Sequence, residues 1–139
     1  PVAAQLDAIE KDAARFAAWQ ELRGDLEAGR PRSEYLYACN AGIVSYHVDP
    51  TGQLSLCISS NSRMYDLCRG SFVEGWEFLR EVRYQRLTDL DFPCNGCSLR
   101  VLCGVCPEWT RLEGVAVEQP VSYLCEVAHL RKQHVFLIP

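Results

Sequence analysis

The sequence lacks the features of several common classes of protein. No apolar run approaches the roughly 18 residues that a membrane span needs, so we expect no membrane partner. The 14 lysines and arginines are scattered among 18 acids, and the net charge of −4 gives no basic stripe for nucleic acid. Residues 1–16, PVAAQLDAIEKDAARF, carry acids where a signal peptide has an apolar core. We therefore expect a cytoplasmic protein.

Catalytic signatures are also missing from the sequence. It has no glycine-rich phosphate loop, no HExxH and no nucleophile elbow. It has no C-x3-C-x2-C loop, in which three cysteines hold a cluster with one iron free for S-adenosylmethionine. Asp89 and Asp91 are interpreted as loop acids rather than as an acid/base pair, and His129 as an exposed helix residue. We predict no catalytic residue and no S-adenosylmethionine-binding residue in this chain.

What the sequence has in excess is cysteine. Eight occur in 139 residues, and four of them fall within residues 94–106, CNGCSLRVLCGVC. In a reducing compartment, clustered cysteines indicate metal ligands rather than disulfides. Zinc sites use two CxxC-type pairs that are usually a dozen or more residues apart, whereas only five residues separate Cys97 from Cys103. A binuclear zinc site stays open as an alternative.

Iron–sulfur clusters fit this spacing better. A cubane cluster is wider than a single ion, so closely spaced thiolates can each reach a different iron atom. In bacterial ferredoxins the last cysteine of such a run, followed by proline, binds the other cluster, and here Cys106 precedes Pro107. Gly96 and Gly104 would let backbone N–H groups turn toward sulfur. We favour two clusters, the first bound by Cys94, Cys97, Cys103 and Cys125 and the second by Cys106 with Cys39 and Cys57.

Apolar periodicity predicts three helices. The first covers residues 3–28, and it either packs on the rest of this domain or ends a larger preceding one. The second begins at the capping box Ser71-x-x-Glu74 and runs to about Leu87. The third begins at Pro120.

A β-hairpin is predicted between the first two helices. Strands 43–48 and 53–58 flank the turn 49–52, whose proline and glycine suit a tight reversal. This hairpin puts Cys57 partway along the return strand and Cys39 just before the outgoing one. The predicted fold class is therefore α+β: a small metal-rich domain with one hairpin and about three helices wrapped around two iron–sulfur clusters.

Seven of the cysteines, together with Gly52, resemble in order and spacing the signature of SPASM domains. These are the C-terminal domains of radical S-adenosylmethionine enzymes such as the anaerobic sulfatase maturases and the subtilosin, pyrroloquinoline quinone and mycofactocin maturases. The resemblance covers about residues 35–130. It implies two [4Fe–4S] clusters, with auxiliary cluster I on Cys39, Cys57 and Cys106 and auxiliary cluster II on Cys94, Cys97, Cys103 and Cys125.

Two features depart from the family pattern. Only Gly104 and Val105 separate Cys103 from Cys106, one residue fewer than is usual in the family. The eighth cysteine, Cys68, follows Cys57 by eleven residues. It is either a fourth ligand of cluster I or a small buried apolar residue. If it is neither, one iron of that cluster is open to water, a substrate group or a peptide thiolate.

The resemblance implies an accessory domain. Residues 1–30 would be the helix and linker that end a radical S-adenosylmethionine core barrel, and residues 31–139 the auxiliary cluster domain. That core, expected in the same full-length chain, would bind S-adenosylmethionine and a third [4Fe–4S] cluster. The two auxiliary clusters would transfer electrons or ligate a peptide or protein substrate, with a ferredoxin- or flavodoxin-type electron partner. The alternative is a non-catalytic interaction module in which zinc or iron–sulfur only stabilises the fold.

Overall fold

The computed structural model describes residues 12–21, 23–28 and 31–136, together with Ala4 and Ala8. Over this part of the chain it contains six helices and a three-stranded antiparallel sheet, so the predicted α+β class is confirmed. The helices are α1 (Ala13–Glu21), α2 (Arg23–Ala28), α3 (Phe72–Arg83), α4 (Arg100–Cys103), α5 (Pro107–Leu112) and α6 (Ser122–Phe136). The strands are β1 (His47–Val48), β2 (Gln53–Ser55) and β3 (Tyr65–Asp66). No helix in the described residues is long and apolar enough to cross a membrane.

The chain divides into two compact units. Unit 1 comprises Pro1–Arg32, Asp91–Val105 and Glu118–Pro139, and unit 2 comprises Ser33–Leu90 and Cys106–Val117. Helices α1, α2, α4 and α6 belong to unit 1, while the sheet, α3 and α5 belong to unit 2.

The predicted hairpin turn is present in unit 2. The Gly52 N–H donates to the Asp49 carbonyl oxygen at 3.0 Å, and Gly52 has φ 84, a conformation that favours glycine. The Asp49 carboxylate accepts from the backbone N–H groups of Thr51 and Gln53 at 2.8 and 3.0 Å, which fixes the turn. Strand β1 pairs antiparallel with β2, with His47 opposite Ser55.

The strands are shorter than predicted. Before β1 the chain forms a turn in which the Val44 N–H donates to the Asn40 carbonyl oxygen at 3.1 Å and the Gly42 N–H to the Ser45 carbonyl oxygen at 2.8 Å. These bonds replace the ladder bonds that an outgoing strand from residue 43 would make. Strand β2 ends two residues before Cys57, so the predicted position of Cys57 within the strand is wrong. Strand β3, which pairs with β2, was not predicted.

Helix α3 begins as predicted but ends earlier. Ser71 and Glu74 form the predicted capping box. The helix ends at Arg83 rather than near Leu87, because the chain beyond it bonds to the start of unit 2. There the Leu87 N–H donates to the Glu34 carbonyl oxygen at 3.0 Å. The buried core of this unit consists of Leu36, Tyr37, Leu54, Leu56, Leu79 and Val82.

The N-terminal part of unit 1 differs from the predicted continuous helix. Asp12 is not helical, and its carboxylate accepts from the backbone N–H groups of Ala14 and Arg15, each at 3.1 Å. It therefore caps α1 and interrupts the predicted helix 3–28, since an aspartate oxygen competes with the helical carbonyls for these donors. Residues 3, 5–7, 9–11 and 22 of that helix lie outside the described residues.

The core of unit 1 joins three helices and a loop. It consists of Leu26, Leu99, Leu102 and Ala128, all less than 10% exposed. Leu26 is on α2, so this helix contributes to the core of unit 1. Helix α6 begins at Ser122, two residues later than predicted, and the Val121 carbonyl oxygen accepts its first N–H bonds from Leu124 and Cys125.

Candidate metal centres

Four predicted ligands line one cavity within unit 1. They are Cys94, Cys97, Cys103 and Cys125, called here the Cys94 group. The cavity has a volume of about 60 Å³, several times the roughly 10–15 Å³ that one water needs. Its remaining wall is formed by Leu99, Arg100, Val105, Ala128 and His129. None of the eight cysteines forms a disulfide, so all four thiols are available to a ligand.

Helix α4 and its C-cap shape one side of this cavity. The Arg100 N–H donates to the Cys97 carbonyl oxygen at 3.1 Å, and α4 ends at Cys103. Gly104 follows with φ 70, and nothing lies within 4 Å of a Cβ placed there, so the backbone conformation is what requires glycine. The turn lets the Val105 N–H donate to the Cys103 sulfur. The N–H that follows Gly104 in the chain is thus directed at a cysteine sulfur, and its effect on a cluster stays a prediction.

The thiols of the Cys94 group influence one another. Burial raises the pKa of the Cys94 thiol, and the other three cysteines of the group raise it further. Burial also raises the pKa of the Cys103 thiol, while the Val105 N–H lowers it. Bringing a cation to the group would relieve this repulsion and release protons, because metals bind thiolates.

Two arginines near the cavity were not identified from the sequence. Arg100 donates to the Cys94 carbonyl oxygen at 3.4 Å, and its charge lowers the pKa of that thiol. Arg131 of α6 donates to the Leu102 carbonyl oxygen at 2.7 Å and lowers the pKa of Cys103. Both cations favour negative charge on the group. Arg131 lies three residues, about one helical turn, after Ala128 of the cavity wall, a spacing that could have suggested its position.

His129 lies one helical turn after Cys125. It is exposed, as predicted, yet it also contributes to the wall of the cavity.

A second set of cysteines comes together in unit 2. Burial raises the pKa of the Cys106 thiol, and the Cys57 and Cys39 thiols raise it further, so the three lie within electrostatic range. We call these three the Cys106 group. Cys106 is the N-cap of α5, and its sulfur accepts the Trp109 N–H at 3.4 Å, with Pro107 at the first helical position. The helix that begins after this Cys-Pro pair was not predicted.

Cys68 lies against the hairpin turn. Its backbone N–H donates to the Asp66 carboxylate at 2.9 Å, and its sulfur is 3.7 Å from the Thr51 carbonyl oxygen. A Cβ placed on Gly52 would be only 2.9 Å from that sulfur. Cys68 is exposed, so the alternative of a small buried apolar residue is wrong.

The described residues contain no group of three or more His, Cys, Asp or Glu side chains arranged to hold a metal ion. A tetrahedral zinc ion would need its thiolates about 2.3 Å from one point. In a cubane cluster each thiolate binds a different iron, so the sulfur atoms surround a larger volume. The Cys94 group lines a cavity, and it is not arranged to hold a single ion.

The boundary between the units falls inside the cysteine-rich segment. Unit 1 continues to Val105, and unit 2 resumes at Cys106. All four members of the Cys94 group lie in unit 1, and all three members of the Cys106 group lie in unit 2. The two-residue spacer Gly104–Val105 therefore separates cysteines of different units.

Comparisons with known proteins do not assign the chain to a family. No family model, no curated protein and no solved structure matches it. The resemblance to SPASM domains rests on the order and spacing of the cysteines.

Proposed function

We propose that this chain is an auxiliary iron–sulfur domain of a radical S-adenosylmethionine enzyme that modifies a peptide or protein. The Cys94 group would hold one [4Fe–4S] cluster and the Cys106 group another. The observation that carries the proposal is the placement of four thiols around one half-buried cavity in unit 1. The second support is that the other three motif cysteines lie in unit 2, where Cys57 and Cys39 raise the pKa of Cys106.

The residues around the Cys94 group suit such a cluster. Leu99, Val105 and Ala128 give the cavity an apolar wall, which limits access of water. The Val105 N–H bond to sulfur and the charges of Arg100 and Arg131 offset negative charge, and such groups raise the reduction potential of a cluster.

The surroundings of the Cys106 group also suit a cluster. Two N–H groups at the start of α5, from Glu108 and Trp109, donate to the Cys106 sulfur. Ser60, whose N–H donates to the Cys57 carbonyl oxygen at 2.9 Å, has a buried hydroxyl with no partner among the described atoms. Such a hydroxyl is costly unless it finds an acceptor, and the sulfides of a cluster held by Cys57 would bring acceptors to this neighbourhood.

A bound cluster supplies one-electron transfer, or an iron that accepts a ligand. The protein's own contribution is to hold the thiols, shield them and set the potential through N–H bonds and arginine charges. S-adenosylmethionine would bind in a core domain, and a ferredoxin- or flavodoxin-type protein would exchange electrons with the clusters. Free thiols and reduced clusters suit the cytoplasm.

Anaerobic reconstitution followed by iron and sulfide analysis tests this proposal. Cys125→Ser should lose about half of the bound iron and sulfide, since it removes one ligand of one of the two clusters. Glu126→Gln, an exposed change at the next position, is the matched control and should lose none. Recovery of zinc without sulfide, or of a metal with no redox response, would instead favour a structural interaction module.

A further inference from the structure

Glu108 is a buried carboxylate in unit 2. It lies in the first turn of α5 and is 3% exposed. The Tyr37 hydroxyl and the Arg111 guanidinium both donate to its Oε1, and the Ser62 hydroxyl donates to its Oε2 at 3.3 Å. A carboxylate in such a place is costly to bury unless it is paired and hydrogen-bonded. These three donors satisfy both of its oxygens.

The partners of Glu108 come from the segments that carry the Cys106 group. Tyr37 lies two residues before Cys39, and Ser62 lies five residues after Cys57. Glu108 itself lies two residues after Cys106. One carboxylate therefore links the three segments that carry these thiols.

Tyr37 is also held in place by hydrogen bonds from two arginines. The Arg83 guanidinium of α3 donates to the Tyr37 carbonyl oxygen, and Arg111 donates to the Tyr37 hydroxyl at 3.1 Å. Tyr37 is 3% exposed and belongs to the core of unit 2. Movement of the Cys39 segment would therefore break bonds to both α3 and α5.

We propose that Glu108 is a positioning residue that sets the separation of the three thiols of the Cys106 group. Cys39 and Cys57 lie in irregular segments outside the strands, so no ladder of backbone bonds fixes their separation. The buried carboxylate supplies this restraint. The effect of Glu108 on a bound cluster rests on the proposed function. Its effect on the separation of the thiols applies to the metal-free chain as well.

The first test is anaerobic reconstitution of the 139-residue chain. Glu108→Ala should lose the cluster of the Cys106 group, and bound iron and sulfide should fall by about half. The cluster of the Cys94 group in unit 1 is an internal control and should keep its electron paramagnetic resonance signal. Glu108→Gln, which still accepts from Tyr37 and Arg111, should restore the lost signal. An Ala variant with full iron content and an unchanged spectrum would overturn the proposal.

A second variant separates positioning from stability. Leu79→Ala removes a fully buried side chain of the same core without removing a bond to Glu108. Tyr37→Phe removes one donor to Glu108 and keeps the ring. Positioning requires that Tyr37→Phe shift the spectrum or reduction potential of the Cys106-group cluster and that Leu79→Ala leave both unchanged. Equal effects of the two variants would contradict it.

Crosslinking of thiols in the metal-free chain tests the positioning role of Glu108 separately from cluster binding. Dibromobimane bridges pairs of neighbouring thiols, and peptide mass spectrometry identifies the bridged cysteines. In the metal-free chain we expect bridges among the Cys106 group that Glu108→Ala loses and Glu108→Gln keeps, while bridges among the Cys94 group stay in both. If the wild-type chain takes up no iron and sulfide but shows this pattern, the proposed function fails and the positioning role stands. Equal bridging in all three chains overturns the positioning role.

Discussion

The buried hydroxyl of Tyr37 gives a prediction whose size follows from the structure. Burial, followed by the bond to Glu108, raises the pKa of Tyr37 from 10.0 to about 12. A tyrosine of the unfolded chain ionises near its ordinary value, so between these two pKa values the folded chain binds the proton and the unfolded chain does not. The stabilisation is therefore complete below about pH 10 and is lost as the pH rises through about 12.

A pKa difference of about two corresponds to about 3 kcal/mol, of which about 1 kcal/mol should be lost by about pH 11. Urea unfolding followed by circular dichroism measures this loss when it is compared in wild type and Tyr37→Phe, which has no phenol to ionise at this position. Tyr84→Phe, at an exposed tyrosine, is the control and should keep the wild-type pH dependence. Equal losses in wild type and Tyr37→Phe between about pH 9 and pH 11 would show that Tyr37 is not the source of the pH dependence.

Three further predictions concern the two groups of cysteines and their cores. Gly104→Ala places a β-carbon on a residue with φ 70 and should lower the free energy of unfolding in urea by about 1–2 kcal/mol. The Cys94 group should then retain iron more weakly. Leu102→Ala removes a fully buried side chain in unit 1 and should lower the free energy of unfolding by about 2–5 kcal/mol. A smaller loss would show that the neighbouring side chains move in to fill the cavity. Cys68→Ser should leave the iron content unchanged, because the Cys68 sulfur lies against the Thr51 carbonyl oxygen. Loss of iron in this variant would show that Cys68 is a ligand.

Local chemistry explains what could be predicted from the sequence. The capping box at Ser71 and the turn at Asp49–Gly52 are formed by neighbouring residues, and both are present in the structure. The Cys94 group lies in unit 1 and the Cys106 group in unit 2, and their roles as cluster ligands stay a prediction.

Long-range contacts account for what was missed. Helix α3 ends at Arg83 because the residues beyond it bond to the segment 34–36, which no local pattern in either segment indicates. The bond between Tyr37 and Glu108 joins positions 71 residues apart. Helix α5 was missed although Pro107 at its first position and Glu108 in its first turn are typical of a helix N-terminus.

We propose that two separate groups of cysteines each hold a [4Fe–4S] cluster. An anaerobic redox titration of the reconstituted chain, followed by electron paramagnetic resonance, tests it most directly. We predict two reducible species, of which Cys125→Ser removes one and Cys57→Ser removes the other. A single species that both substitutions abolish, or bound zinc with no reducible species, would contradict the account.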